Sequence, residues 1–366
     1  MQSKRLRAAV ICGGISPEHE VSLSSGRTSA LALDRDHYDI LPICIRKTGD
    51  WLIPVCYLGP DRTDEEINKC FDEFQASRET APEGVHLYPV EAALIALKVL
   101  SPDIALLLLH GRGGEDGLIQ GFLEFSGIRY TGPGVLASAL AMDKIRCLRL
   151  LANWNYQVPP ISYRLEIPER PDFSGFIRNV EKKTGYPCFI KPARVGSSVG
   201  MSIAHDHSEL EAALLLARKY DSQIMVEEFI RGVEVTCGVL DRVAGDGTEE
   251  RIVLPPTEIV LKKAAFFDYE SKYTPGMTEE ITPARLPEDM IKKVQDTAGA
   301  IYQLIGCSGM SRIDMIIRNE EIFVLECNTI PGMTPTSLLP QGAAAAGIGF
   351  PELLDIIVNH SIRKQH

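Results

Sequence analysis

Short apolar runs alternate with helically spaced apolar residues through roughly the first third of the chain. The short runs, typical of buried strands, lie at residues 8–12, 38–45 and 104–109, and the helical spacing lies at residues 21–33 and 90–100. Between them, residues 61–82 are mostly polar and receive no assigned element. Strands that alternate with helices in this way predict a parallel sheet with helical crossovers.

The remaining pattern divides into two further segments, each with its own strands and helices. In the middle of the chain it predicts helices at residues 143–154, 176–183 and 208–220, and strands at residues 188–191, 199–203 and 223–227. The last third contains predicted strands at residues 234–240, 252–261, 311–317 and 322–326, with helices at residues 287–304 and 351–362. A chain of 366 residues exceeds one ordinary core, and its length suggests about two or three domains. With the three segments above, we predict an α/β and α+β protein of three domains, residues 1–132, 133–231 and 232–366.

The composition is typical of a globular protein, with 45% hydrophobic and 24% charged residues. A net charge of −11 argues against a nucleic-acid partner, because phosphate backbones attract clustered Lys and Arg. Nine cysteines without a CxxC pair indicate reduced thiols and favour a cytoplasmic location. The apolar run at residues 8–12 is too short for a signal-peptide core, and that at residues 104–109 is too short for a membrane span.

Residues 191–202, KPARVGSSVGMS, combine a lysine at the end of a predicted strand with a turn of small residues. Backbone N–H groups in such a turn can approach a phosphate closely, because few side chains stand in the way. The spacing differs from that of a P-loop, which excludes a Walker-type site. A hairpin turn with solvent-facing serines explains this segment about equally well when it is taken alone.

Acidic and amide side chains cluster on two neighbouring predicted strands near the C-terminus. Residues two apart on a strand share a face, so Arg312 and Asp314 point the same way, as do Glu326 and Asn328. If the strands are adjacent, three oxygen ligands converge in a form suited to magnesium and nucleotide phosphates. Solvated polar residues at a strand end are the alternative, which the apolar neighbours disfavour.

A glycine turn at residues 13–22, GGISPEHEVS, lies between the first strand and the first helix. Ligands of α/β proteins bind at this edge of a sheet, so Glu18 is a candidate for binding an ammonium group. Capping of the helix by acidic residues is the alternative, and it suits Glu20 better than Glu18. Residues 131–137 match a loose dinucleotide fingerprint but lack its later acidic residue, and we interpret them as a tight turn entering a helix.

These segments belong to a longer series of blocks that extends in order along nearly the whole chain. The eight blocks are GGISPEHEVS, LLHGRGGEDGLIQGFLEFSGIRYTGPGV, ASALAMDK, KPARVGSSVGMS, VEEFIRGVE, FFDYESKYTPG, SRIDM and LECNTIPGMTPTSLLP. Together they resemble the D-alanine–D-alanine ligase family of the ATP-grasp superfamily. The resemblance implies a three-domain ATP-grasp fold with an N-terminal parallel-sheet (pre-ATP-grasp) domain.

The resemblance also implies an activity. The family joins two D-alanine molecules into D-alanyl-D-alanine through a D-alanyl phosphate, for peptidoglycan precursors in the bacterial cytoplasm. It implies ATP and two Mg²⁺ ions as cofactors, with Mn²⁺ as a substitute, and a homodimer without a membrane or nucleic-acid partner.

By the same resemblance, each matching position has an implied role. Those implied to contact ATP are the phosphate-binding Lys144, Lys191 and Lys272, the adenine-slot residues Glu227, Glu228, Phe229 and Ile230, and Glu234 at the ribose. The implied magnesium ligands are Asp314, Glu326 and Asn328. Glu18 and His110 are implied to bind the first D-alanine, and Ser197 and Tyr273 are implied to form a triad with Glu18. Arg312 and the N–H of Gly332 are implied to face the oxyanion. Ser337 and Leu338 are implied to bind the carboxylate of the second D-alanine.

Three alternatives remain at this point. Related ligases take D-lactate or D-serine as the second substrate; Tyr273 favours D-alanine over D-lactate, whereas a single hydroxyl makes D-serine harder to exclude. A different ATP-grasp carboxylate–amine ligase and a nucleotide-binding sensor without catalysis are the others. The segment at residues 266–284, aromatic at its start and rich in turn formers afterwards, is predicted to cover the site and exclude water.

Overall fold

A computed structural model describes residues 5–77, 80–167, 172–196, 199–261 and 278–363. Three β-sheets follow one another along this part of the chain. The elements around the first sheet are β1 (Leu6–Gly13), α1 (His19–Ala32), β2 (Tyr38–Ile45), β3 (Trp51–Pro54), α2 (Asp64–Ala76), β4 (Val85–Tyr88), α3 (Val90–Leu100), β5 (Ile104–Leu107) and α4 (Leu118–Ser126).

The first sheet has the order β4-β3-β2-β1-β5. Its strands β2, β1 and β5 are parallel, which agrees with the parallel arrangement predicted for this part of the chain. The antiparallel strands β3 and β4, which the sequence analysis did not predict, extend one edge. Both are only four residues long, too short to give a clear alternating pattern.

Helix α2 occupies residues to which the sequence analysis assigned no element. Thr63 and Glu66 form a reciprocal capping box at its start. Ile67, Phe71 and Phe74 are buried at helical spacing, so a narrow apolar stripe fixes this otherwise polar helix against the sheet.

The elements around the second sheet are α5 (Val135–Met142), α6 (Lys144–Asn153), β6 (Ile161–Arg164), α7 (Ser174–Lys183), β7 (Cys188–Pro192), β8 (Ser202–Ala204), α8 (His207–Arg218) and β9 (Ile224–Glu228). The sheet has the order β6-β9-β7-β8 and is antiparallel throughout. Helices α7 and α8 share a buried core with one of its faces. Gly132, with φ +90°, makes the predicted turn before α5.

The elements around the third sheet are β10 (Val233–Val243), β11 (Glu249–Val253), β12 (Thr257–Leu261), β13 (Thr278–Ile281), α9 (Glu288–Ile305), β14 (Met310–Arg318), β15 (Glu321–Asn328), α10 (Leu338–Ala345) and α11 (Phe350–Arg363). The order is β13-β12-β10-β14-β15, with β11 also on β10. The single strand predicted at residues 252–261 is wrong. It is two strands, because Pro255 and Pro256 between them have no N–H to donate to a ladder.

The terminal helix α11 returns to the first sheet. Its buried residues Leu353, Leu354 and Ile357 belong to the same core as β1 and β5. Tyr38, at the start of β2, donates a hydrogen bond of 2.7 Å to Asp355 of α11. The end of the chain therefore holds the first and third sheets together. Among the described residues no single helix is long and apolar enough to cross a membrane; α10 and α11, bent by 103°, reach that length and composition only as a pair.

Candidate active site

A cavity of about 480 Å³ lies where loops from the three sheets meet. This size lies within the usual range for small-molecule sites. Its walls include Glu18 and His110 from the first sheet, Lys144 at the start of α6, and Arg312 and Glu326 from the third sheet. Residues from distant parts of the chain thus line one space.

A β-bulge in β15 determines to which face of the strand the Glu326 side chain points. Asp314 lies opposite Glu326, but the next residue, Met315, lies opposite Val324, so Leu325 is an extra residue. Met315 and Val324 face the buried core, whereas Glu326 lines the cavity. Without the extra residue, positions 324 and 326 would share a face, so the bulge separates the core side chain from the site side chain.

Arg312 is held in a fixed orientation by Asp314. Its Nε and one terminal nitrogen each donate to the Asp314 carboxylate at 2.8 Å, and Thr236 donates to the same carboxylate at 2.5 Å. Burial by itself lowers the pKa of Arg312, but the charge and hydrogen bonds of Asp314 outweigh it and raise that pKa. The guanidinium is therefore a permanent, oriented positive charge at the cavity wall.

Lys144 is almost completely buried at the start of α6. Its ammonium lies 3.2 Å from Glu326 and donates to the carbonyl of Val195 at 3.2 Å. Burial lowers the pKa of Lys144, but the charge of Glu326 outweighs this effect and keeps the pKa raised. A protonated lysine thus lies beside the carboxylate implied to bind metal.

Lys191 forms a buried ion pair with Glu227, with 2.5 Å between the ammonium nitrogen and the carboxylate oxygen. Burial raises the pKa of Glu227, and the charges of Lys191 and Lys144 oppose that shift, whereas Glu326 adds to it. The charges of Lys144 and Glu326 therefore act on the pair that joins β7 and β9. Neither Lys191 nor Glu227 lines the cavity itself.

Glu18 and His110 both line the cavity on the side of the first sheet. Glu18 directly precedes α1 and is 9% exposed, and His110 follows β5 and is 5% exposed. The His110 Nδ1 lies 3.1 Å from the carbonyl oxygen of Ile330, and within the described residues its buried Nε2 has no hydrogen-bond partner. Burial lowers the pKa of His110 although the Glu18 charge opposes it, so the ring is neutral and Nδ1 donates to the carbonyl.

The residues implied at the adenine lie where β9 leads into β10. Glu228 pairs with Arg318 at 2.5 Å, the Phe229 N–H donates to the carbonyl of Pro187, Ile230 is buried, and Glu234 is half-buried on β10. These contacts join the second and third sheets. The contact of this stretch with adenine stays a prediction.

A loop after β15 contributes the other implied amino-acid contacts. Gly332, Ser337 and Leu338 all line the cavity. A Cβ on Gly332 would lie 2.9 Å from the Ser337 hydroxyl, so only glycine leaves room for that side chain. The Thr334 N–H donates to the Ser337 hydroxyl at 3.1 Å, which fixes its position.

Ser197, Lys272 and Tyr273 lie outside the described residues. The same holds for residues 266–277 of the predicted covering segment. Their roles stay predictions.

The chemistry of the side chains fits a hard cation. Within the described residues the buried Asn328 Oδ1 has no hydrogen-bond partner, and the Glu326 side chain is 28% exposed in the cavity wall. Asp314 accepts three hydrogen bonds and so retains one lone-pair position. The part of the chain that the structure describes has no group of three His, Cys, Asp or Glu placed to hold a metal, because the third candidate ligand is an amide. Oxygen donors of this kind suit magnesium.

Glu115 lines the cavity and was not predicted from the sequence. Burial and the nearby charge of Glu18 raise the pKa of Glu115 to about 8. The sequence did contain a signal for Glu115, because this acidic residue lies in a glycine-rich loop that follows β5 at the carboxyl edge of the parallel strands. Glu280, Thr334 and Thr336 also line the cavity and were not predicted.

The chain matches two family models and many named relatives. The model described as D-ala D-ala ligase N-terminus matches residues 7–133, and that described as D-ala D-ala ligase C-terminus matches residues 164–359. A D-alanine–D-alanine ligase of Leptospira interrogans is 39% identical over 367 residues, covering 98% of this chain and 99% of that protein. One from Caldicellulosiruptor bescii is 36% identical over 380 residues, covering 98% and 96%.

Solved structures agree with these relatives. VanG D-Ala:D-Ser ligase from Enterococcus faecalis has a TM-score of 0.81 and 34% identity, with 98% of this chain and 100% of that chain covered. The D-alanine–D-alanine ligase from Bacillus anthracis complexed with ATP has a TM-score of 0.71 and 31% identity, with 99% and 98% covered. Sequence likeness over the full length, the same architecture and a cavity built from the family's motif residues lead to one conclusion: this chain belongs to the D-alanine–D-alanine ligase family of ATP-grasp enzymes.

Proposed function

We propose that this chain joins two D-alanine molecules into D-alanyl-D-alanine through a D-alanyl phosphate, at the expense of ATP, for peptidoglycan precursor synthesis. The observation that carries the proposal is the convergence of Lys144, Glu326 and Arg312 with Glu18 and His110 in one cavity. Cationic groups for phosphates and acidic groups for an amino acid's ammonium occur within one small space. Such a site can bring a carboxylate to a nucleotide.

The first step activates a carboxylate, which is a poor electrophile until it carries a phosphoryl group. Lys144 supplies positive charge beside Glu326, and Lys191, assigned to the same phosphates, is buried in an ion pair with Glu227. Phosphoryl transfer is catalysed mainly by positioning and by neutralising charge. Asp314, Glu326 and Asn328 would hold two Mg²⁺ ions, or Mn²⁺ in their place, and the bound metal would neutralise phosphate charge. Lys272 is assigned to the same phosphates, and Glu227, Glu228, Phe229, Ile230 and Glu234 to the nucleoside.

The second step is attack of an amine on the acyl phosphate, which creates a tetrahedral oxyanion. Arg312 is oriented by Asp314 and needs no reorganisation to face that charge. A fixed donor of this kind typically contributes about 3 to 4 kcal/mol. The Gly332 N–H is assigned as the second donor, and Ser337 with Leu338 is assigned to the carboxylate of the second D-alanine. Glu18, with His110, Ser197 and Tyr273, is assigned to orient the first amino acid.

Family membership also supports three less specific inferences. We infer a homodimer that works in the cytoplasm, without a nucleic-acid or membrane partner. We also propose the division at residues 1–132, 133–231 and 232–366 as three domains, with the qualification that α11 completes the core of the first.

The proposal is tested by ADP release in the presence of D-alanine, ATP and Mg²⁺, with product identification by mass spectrometry. D-Alanyl-D-alanine and ADP should form in equal amounts. L-Alanine, and D-alanine with excess chelator, should give background rates. No dipeptide from D-alanine at any metal concentration would refute the proposal.

The likeness to a D-Ala:D-Ser ligase favours a second candidate, in which D-serine is the second substrate. Competition between labelled D-alanine and D-serine for the second position distinguishes the two, with D-lactate as a third competitor. We expect D-alanyl-D-alanine to dominate the products. A product mixture dominated by D-alanyl-D-serine would replace the first candidate with the second.

A further inference from the structure

One carboxylate of the cavity wall belongs to the edge strand of the third sheet. Glu280 on β13 is half-buried and lines the cavity. The described cations of that wall already have acidic partners. Lys144 lies beside Glu326, and Arg312 donates to Asp314. Glu280 forms no ion pair with a residue that the structure describes, so its charge is available to a cationic ligand.

A glutamine on α10 fixes the direction of this carboxylate. The side-chain nitrogen of Gln341 donates to Glu280 at 2.5 Å and to the carbonyl oxygen of Thr336 at 2.7 Å. Both partners are acceptors, and only the nitrogen end of the amide can donate, so a single orientation of the glutamine satisfies both. The Glu280 carboxylate is therefore held beside the loop that leads into α10, of which Thr334, Thr336 and Ser337 line the cavity.

The start of α10 is suited to a carboxylate. Ser337 directly precedes the helix, and the first turn contains no acidic side chain. The N–H groups at a helix start have no acceptor within the helix, so the position favours an anion. Under the proposed function, Ser337 and Leu338 bind the carboxylate of the second D-alanine. An amino acid bound there carries its ammonium group on the neighbouring carbon atom, and Glu280 is the acidic residue that Gln341 ties to this loop.

We propose that Glu280 is a specificity-determining residue whose carboxylate binds the ammonium group of the second amino acid. A 2-hydroxy acid such as D-lactate brings a carboxylate without a cation. Two like charges would then share one partly dehydrated space, which lowers the affinity for the hydroxy acid. D-Serine has the same ammonium group as D-alanine, so Glu280 does not separate those two substrates. The inference rests on the proposed function, because it assigns a role within the site of the second substrate.

The test uses four variants of the full-length protein. Glu280→Gln removes the charge, but its amide oxygen can still accept from Gln341, whereas Glu280→Ala removes both the charge and the acceptor. Glu280→Asp keeps a negative charge on a shorter side chain. Glu279→Gln is the matched control, because Glu279 is exposed, lies on the other face of β13 and is not part of the cavity wall.

Mass spectrometry measures D-alanyl-D-alanine and D-alanyl-D-lactate formed from D-alanine and excess D-lactate with ATP and Mg²⁺. In both neutral variants the ratio of D-lactate product to dipeptide should rise about tenfold or more, and KM for the second D-alanine should rise about tenfold, because a charge-assisted hydrogen bond is lost. KM for ATP should change less than about threefold. Glu280→Asp should stay closer to the wild type than to Glu280→Gln, and Glu279→Gln should match the wild type. With D-serine in place of D-lactate, the product ratio should change less than about threefold in every variant.

A wild-type ratio of D-lactate product to dipeptide in both neutral variants would overturn the inference and leave the proposed function in place. An equal rise of the D-serine and D-lactate products would also overturn it, because the site would then have lost selectivity in general rather than selection by charge. If Glu280→Gln fails to fold, the Glu280→Ala measurements decide. If the wild-type enzyme itself forms no dipeptide, the proposed function fails and the inference fails with it.

Discussion

Single side chains in this protein are oriented by partners on their own strand and on the neighbouring strand. Arg312 is set by Asp314 two residues away, and Asp314 in turn accepts from Thr236 on β10. The sequence predicts that Arg312 and Asp314 share a strand face, because that follows from the two-residue period. It does not predict the support from Thr236, because that depends on which strand lies beside β14.

Replacing Arg312 with lysine should reduce kcat about 10²- to 10³-fold, while KM for ATP changes less than about threefold. Lysine keeps the charge but lacks the planar fork with which Arg312 donates two parallel hydrogen bonds to Asp314, so the charge is no longer fixed at the oxyanion. Steady-state kinetics with D-alanine and ATP measure both values. Arg242→Lys, on the neighbouring β10 and paired with exposed Glu250, is the control. Equal activity of both variants would remove Arg312 from its proposed role.

The Glu258–Arg285 pair should stabilise the fold in a pH-dependent way. Hydrogen bonds from Arg285 lower the pKa of Glu258, so the stabilisation is present above the unfolded pKa, about 4.3, and is lost as the pH falls through the lower folded pKa. Glu258→Gln should lose up to about 1 kcal/mol at pH 7, and the difference from the wild type should shrink as the pH falls below the unfolded pKa. Urea unfolding at pH 7 and at a series of lower pH values measures this. A pH-independent difference would contradict it.

At the scale of elements, periodicity located most helices and strands, and the errors have identifiable causes. The prolines at 255 and 256 divide one predicted strand into β11 and β12, a signal that was readable in advance. Helix α2 was also readable from its capping box and three buried aromatic and aliphatic positions. The bulge at residue 325 was not, because a bulge is defined by the register of two strands that meet only in the fold.

The loop after β15 should tolerate no side chain at Gly332. Gly332→Ala places a Cβ 2.9 Å from the Ser337 hydroxyl, so the serine must move and KM for the second D-alanine should rise about tenfold or more. ATP affinity should stay unchanged. Gly349→Ala, whose Cβ meets nothing within 4 Å, is the control. Substrate titration at saturating ATP tests the prediction, and an unchanged KM would contradict it.

At the scale of the whole molecule, the three sheets are joined by shared cores. One buried cluster contains residues of α5, α6 and β6 together with residues of β10, β14, β15 and α9. Another contains α11 together with the first sheet. The active-site cavity lies between these cores, so its geometry depends on contacts far apart in sequence.

Truncating Ile357 of α11 should destabilise the molecule although it lies outside the cavity wall. The residue is fully buried in the core of the first sheet, so Ile357→Ala should cost about 2 to 5 kcal/mol. Ile95→Ala on α3, where the side chain is 66% exposed, should change stability by less than about 0.5 kcal/mol. Denaturant unfolding followed by circular dichroism compares them. Equal midpoints would show that α11 does not support this core.

The sequence by itself determined the family, the parallel start of the fold and the residue types of the site, because motifs and apolar periods are local properties of a chain. Tertiary structure alone decided that Lys144 meets Glu326, that Lys191 pairs with Glu227, and that His110 donates to the carbonyl of Ile330. Each of these contacts joins residues from different elements, and the charges and hydrogen bonds that they exchange exist only once packing has brought those elements together. Local sequence patterns carry no information about the distances between elements in the folded protein.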